Sequence, residues 1–174
     1  MEKVKISQDA LYQYITEHGI KLVRLAELTG LTNTSINSCF KHDLNRDGTP
    51  RIFTRKVTDK INDALPRIAD MLRESTLHFG SSQVFTNKHG RTYDPALVEP
   101  MKKIGNILNL TALVERVLGW NKRKKANIIV DNNSKVYGNI TEEDVNRINA
   151  ELLAVAGVLS SYEMVSDAVG DSEN

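Results

Sequence analysis

The sequence predicts an all-α fold of two similar helical units in tandem, joined by a linker that is either irregular or a hairpin. Three observations predict it. Apolar residues recur at helical spacing between capping and turn residues. The order of these signals in the first half returns in the second. A stretch bearing Gly, Ser and Pro, residues 80–100, separates the two.

In the first half, Asp9 is placed to cap a helix running to about His18, with Leu11, Tyr14 and Ile15 on one face. Gly19 ends it, because glycine takes positive φ at no steric cost. A second helix carries Leu22, Leu25, Ala26 and Leu28 and stops at Gly30. Thr32 is a favourable N-cap for a third helix with Ile36, Cys39 and Phe40 inward. The polar loop HDLNRDGTPR follows, with an Asp-Gly turn. Thr54 then caps a longer helix bearing Val57, Ile61, Leu65, Ile68 and Leu72. Pro66 lies inside it, so the helix kinks there or a new one starts. Within the linker, VFTNKHGRTY reads as a hairpin around Asn87–Gly90 or as irregular chain.

The second half repeats this plan. Helix-forming sequence precedes Gly119 as it precedes Gly30, and a polar helix is expected next, ending at Ile128-Ile129 as its counterpart ends at Cys39-Phe40. A polar loop follows in both, and Thr141 opens the long helix as Thr54 does. From each threonine the segments march together: Ile61-Asn62 with Ile148-Asn149, Leu65 with Leu152, Ile68-Ala69 with Val155-Ala156, Met71-Leu72 with Val158-Leu159. Ile36 is matched by Lys125, which cannot serve the same core, so the second unit is a diverged copy. The expected organisation is a first unit over 1–79, the linker over 80–100, a second unit over 101–162 and an acidic, disordered tail over 163–174.

Composition narrows the function. Hydrophobic residues at 40% and charged residues at 26% suit a globular chain. The net charge is only +1, but the tail holds Glu163, Asp167, Asp171 and Glu173 and no basic residue. The body is therefore about +5, a mild basic bias. Cys39 is the sole cysteine, which excludes an internal disulfide and any cysteine-based metal site. No apolar run approaches a membrane span, and the opening MEKVKISQDA has no signal-peptide core. A reducing, cytoplasmic setting is expected. His18, His42, His78 and His89 are scattered without metal-ligand spacing. There is no glycine-rich phosphate loop. Glu142-Glu143-Asp144 after Thr141 is what capping and the helix dipole favour. Neither catalysis nor a cofactor is expected.

The segment IKLVRLAELTGLTNTSINSCF carries Leu25-Ala26, Gly30, Leu31, Thr32 and Ile36 in a set order. Ala26 is small enough for two helices to approach closely. Gly30 can make a left-handed turn, Leu31 plugs the core beneath it, and Thr32 satisfies the first amides of the next helix. With these residues the chain resembles the lambda-repressor/Cro-like helix-turn-helix DNA-binding family over residues 20–72, with a diverged second copy at about 109–162. The resemblance implies that the third helix enters the major groove of double-stranded DNA. With Ile36 and Phe40 inward, Thr34, Asn37, Ser38 and Lys41 lie on the outer stripe, beside Thr32 and Ser35. Asn pairs with adenine through two hydrogen bonds, and Ser and Thr reach base edges or phosphates. Arg46, Arg51, Arg55 and Lys56 follow in and after the loop as phosphate contacts.

A second cluster, Lys122, Arg123, Lys124 and Lys125, would open a helix capped by Asn121. Cations there oppose the helix dipole by about 0.3–1 kcal/mol each. A phosphate backbone beside the turn reverses that sign. The resulting expectation is a sequence-specific DNA-binding protein acting as a transcriptional regulator. It would work as a homodimer joined through one of the two long helices, or as one chain with a built-in pair of units. The alternative is a helical protein-interaction role, or an accessory role in a phage or mobile element such as a virion or DNA-packaging component.

Overall fold

Ser7, rather than Asp9, starts the first helix. In the computed structural model, which describes residues 2–78, 85–86, 90, 92–119, 129–130, 136–137 and 140–166, the Ser7 hydroxyl accepts the Ala10 N–H at 3.1 Å. Asp9 falls in the first turn instead, where the dipole favours a carboxylate. Strand β1 (Val4–Ile6) precedes this helix, α1 (Gln8–Glu17). Next come α2 (Leu22–Thr29), closed by Gly30 at φ 74°, and α3 (Asn33–Phe40). Thr54 caps α4 (Arg55–Glu74), a single helix that continues through Pro66.

The linker forms a hairpin, β2 (Phe85–Thr86) with β3 (Thr92–Tyr93), and it ends earlier than expected. Asp94 accepts the Ala96 N–H at 2.9 Å, and Pro95 occupies the first helical position, where no N–H is needed. Helix α5 (Pro95–Gly105) therefore starts inside the stretch assigned to linker. Then come α6 (Leu110–Leu118), capped by Asn109 and closed by Gly119, and a second hairpin, β4 (Ile129–Val130) with β5 (Val136–Tyr137). Ile129 is thus in a strand and does not end a helix. Ile129 pairs in register with Tyr137 and Val130 with Val136, residue types with a preference for strands. The four strands join in the order β2-β3-β5-β4.

Thr141 opens α7 (Glu142–Ser161) with a full capping box: its hydroxyl accepts the Asp144 N–H, and the Asp144 carboxylate accepts the Thr141 N–H at 2.9 Å. The chain continues directly into β6 (Tyr162–Met164), which runs parallel to β1. Glu163 and Met164, expected in a disordered tail, are therefore strand residues, and Met164 is buried. Residues 167–174 of that tail lie outside the described residues. Seven helices supply most of the described chain, and the fold class is all-α.

The buried side chains of both halves form one cluster. At its centre α4 packs on α7. Ile61, Leu65, Ile68 and Leu72 bury against Ile148, Leu152, Val155 and Leu159, with Ala69 and Ala156 fully buried among them. The contact is reciprocal. Asn62 of α4 grips the backbone of Met164, donating to its carbonyl at 2.9 Å and accepting its N–H at 2.7 Å. Asn149 of α7 does the same to Leu77, at 2.7 and 2.6 Å. Each asparagine closes on the residue lying just beyond the other helix, so the two helices run antiparallel. The apolar faces expected to join two chains are occupied within one.

A second reciprocal contact joins the starts of the halves. Ile20 and Leu108 form an antiparallel bridge: Lys21 N–H donates to Ile107 at 2.9 Å and Asn109 N–H to Gly19 at 2.7 Å. Gly19 has φ 65°, and a Cβ there would stand 3.2 Å from that of Asn109. The turn and the close approach both require glycine. Beside this bridge, Glu151 meets His18 at 3.4 Å and Arg116 at 3.1 Å. Tyr14 packs its ring on His18 and edge-on to Tyr162, and burial pushes its phenol up to about 12.

Candidate nucleic-acid interface

Helix α3 presents the outer face, and α1 holds it in place. Thr32 caps α3, accepting the Ser35 N–H at 3.1 Å, and its hydroxyl donates to that of Ser35 at 2.8 Å. Ile36 and Phe40 are fully buried. The Phe40 ring stacks on Tyr12 of α1 at 5.2 Å and meets Phe53 edge-on at 4.9 Å. Gln8, itself buried, donates to the Cys39 carbonyl in the last turn of α3. His42 follows α3 in the left-handed conformation and meets the Asp9 carboxylate at 3.1 Å. Both ends of α3 are therefore fixed, one by its own cap and the other by α1.

These fixed ends decide what α3 shows to solvent. Thr32, Thr34, Ser35 and Lys41 are exposed, whereas Asn37 and Ser38 are half-buried. The expectation of exposure fails for these last two, and Asn37 lies within reach of Tyr12 on α1. The Tyr12 hydroxyl donates to Asn37 Oδ1 at 3.4 Å. A carboxamide oxygen has two lone pairs, so Asn37 keeps one acceptor site and both N–H donors. Helix α3 and its C-cap Lys41 contain no acidic residue.

The polar loop after α3 is an ordered hairpin. Arg51 N–H donates to Asp43 and Asn45 N–H to Thr49, both at 2.8 Å, with Leu44 bridging Pro50. Gly48 at φ 85° closes the turn. Asp47 Oδ1 accepts from the Thr49 hydroxyl at 2.6 Å and from its N–H at 2.9 Å, which holds the Asp47 carboxyl below its usual range. Asn45 Nδ2 donates to Thr49 Oγ1 at 3.2 Å. Arg46 stands exposed at the tip, and Arg51 is exposed at the base. Cys39, in the last turn of α3, reaches the Ile52 carbonyl at the hairpin base. Burial pushes its thiol pKa up and Arg51 pulls it partly back, so the thiol stays protonated and unreactive at neutral pH.

Arg55 and Lys56 open α4 directly beyond Phe53, which packs on Phe40. Both are exposed, and the first turn of α4 holds no acid. The structure thus gathers Thr32, Thr34, Ser35, Asn37, Ser38, Lys41, Arg46, Arg51 and Arg55 around α3 and the two segments that follow it. Lys122, Arg123, Lys124 and Lys125 lie outside the described residues. The sequence reasoning missed Gln8, Tyr12 and the Asp9–His42 pair. Gln8 had a signal, since it shares the helical stripe of Leu11 and Ile15, where a polar residue needs a partner. Tyr12 had none, because its partners are set by how α1 crosses α3.

Among the described residues no three His, Cys, Asp or Glu side chains cluster as a metal site, and no helix is long and apolar enough to cross a membrane. No protein-family model, curated protein or solved structure matches this chain.

Proposed function

We propose that this chain is a sequence-specific double-stranded DNA-binding protein that acts in transcription regulation, with α3 in the major groove. One observation carries the reading: α3 is held at both ends by capping and aromatic packing, yet its outward face is polar and free of acid. A face meant only for solvent gains nothing from excluding carboxylates. A face meant to lie close to phosphates is repelled less without them. Exposed Lys41, Arg46, Arg51, Arg55 and Lys56 around it add the cations that phosphates attract. Asn37, oriented by Tyr12, is the side chain best fitted to a two-bond adenine contact.

We further propose that one chain is the working unit. The reciprocal asparagine contacts favour an internal duplication in which the two halves take the place of two subunits. Selection of bound sequences from random duplexes, followed by titration at 50 and 200 mM salt, tests both proposals. A consensus sequence, a steep fall in affinity with salt and one chain per duplex are expected. Absence of duplex binding at the lower salt would reject the reading and favour a protein partner.

A further inference from the structure

The hairpin over 43–51 leans along α3 and leaves an open groove of about 540 Å³ between them. Ser35 and Cys39 line it on the helix side, and Asn45, Thr49 and Arg51 line it on the hairpin side. The Cys39 thiol reaches the Ile52 carbonyl at the hairpin base, while Asn45 and Thr49, near the tip, share the groove with Ser35 one turn back along α3. In B-form DNA a single phosphodiester strand separates the major groove from the minor groove. An element lying beside a helix in the major groove, across a channel that one strand can occupy, meets the minor groove.

We infer that the groove between α3 and the 43–51 hairpin seats one phosphodiester strand, held by Arg51, and that Arg46 enters the adjoining minor groove and selects A·T over G·C pairs there. This rests on the DNA reading and names the hairpin's part in it. Three features single out Arg46. It stands at the tip of the turn, exposed. Its neighbours Asn45 and Asp47 are both tied to Thr49, so the tip is pre-ordered and presents Arg46 alone. The hairpin is also electrically balanced, with Asp43 and Asp47 against Arg46 and Arg51. A hairpin built only to attract phosphate would carry a net positive charge. A minor groove about 6 Å wide admits one extended side chain, and where narrow its potential attracts arginine.

The experiment uses the full chain and the strongest duplex recovered by selection. The pairs flanking the α3 site are set to A·T, to G·C or to inosine·C. Inosine lacks the 2-amino group of guanine, so inosine·C presents an A·T-like minor groove with a G·C-like major groove. The wild-type chain is expected to bind the A·T and inosine·C flanks equally and the G·C flank about tenfold more weakly. Arg46→Ala should abolish that difference, while Arg51→Gln should weaken all three duplexes alike. Circular dichroism of both variants should be unchanged. A uniform loss for Arg46→Ala would make Arg46 a phosphate contact and overturn the inference, as would no loss at all. Inosine·C behaving as G·C would place the readout in the major groove and overturn it too. If the wild-type chain bound no duplex, the DNA reading itself would fall, a result distinct from any flank pattern.

Discussion

Thr54 and Thr141 cap helices of 20 residues each, and the positions buried along one recur along the other, yet the two first turns differ. α7 begins Glu142-Glu143-Asp144 and closes a capping box, as helix stability requires. α4 begins Arg55-Lys56, with no acid in its first turn. Cations at a helix start cost about 0.3–1 kcal/mol each. Packing cannot explain the contrast, since both helices bury the same stripe. The start of α4 follows Phe53, which packs on Phe40 in the last turn of α3. The outer faces differ as well. Beyond the second turn α4 carries Asp63, Arg67 and Asp70, whereas α7 shows Ala150, Ala154 and Gly157 at the matching positions. The two helices thus share their buried stripe and differ in their first turns and outer faces.

The largest effect is expected where the halves grip each other. Asn62→Ala and Asn149→Ala each remove a pair of hydrogen bonds to partly buried backbone. Each should cost about 2 kcal/mol in urea unfolding, and the double variant about 4 kcal/mol. A marked inequality between the two would break the reciprocity. Gly19→Ala comes next, at about 1–3 kcal/mol, from the positive φ and the 3.2 Å approach to Asn109. A neutral result would mean that the bridge between Ile20 and Leu108 can open without cost.

What is legible in the sequence depends on the range of the interaction. Thr32, Gly30, Thr54 and Thr141 act on residues three or four positions away, so their roles as caps and stops can be read directly. The Ile-Asn pairs are visible as a repeat, but not as clamps, because Asn62 reaches Met164 across 102 positions. The β1–β6 pairing is hidden for the same reason. Ser7 and Asp9 are both good caps, and only the fold shows which one His42 needs. In the site, exposure of Thr34 and Lys41 follows from the helical wheel. The half-burial of Asn37 does not, since Tyr12 reaches it from α1.

Smaller effects sharpen the comparison. Asn37→Ala should relax preference at one base position by about 1–3 kcal/mol. Unchanged preference across a duplex library would remove it from the reading face. The Tyr14 phenol titrates near 10 when unfolded and about 12 when folded. Its contribution is therefore whole below pH 10 and is lost as pH rises toward 12. Unfolding measured between these limits should show a slope that Tyr14→Phe reduces, and an unchanged slope would assign the alkaline loss elsewhere. Leu153, 50% exposed on α7, should tolerate Glu within about 0.5 kcal/mol, with the solution mass still that of one chain.

The most direct measurement reverses the helix start. With Arg55 and Lys56 both replaced by Glu, duplex affinity and thermal unfolding are recorded together at several salt concentrations. If the first turn of α4 is kept basic for phosphate, affinity falls at least tenfold for every duplex. The slope of log affinity against log salt flattens by about 0.9 for each phosphate no longer neutralised, and the fold is retained. Unchanged affinity with a more stable fold would show that these cations serve no phosphate and would contradict the account.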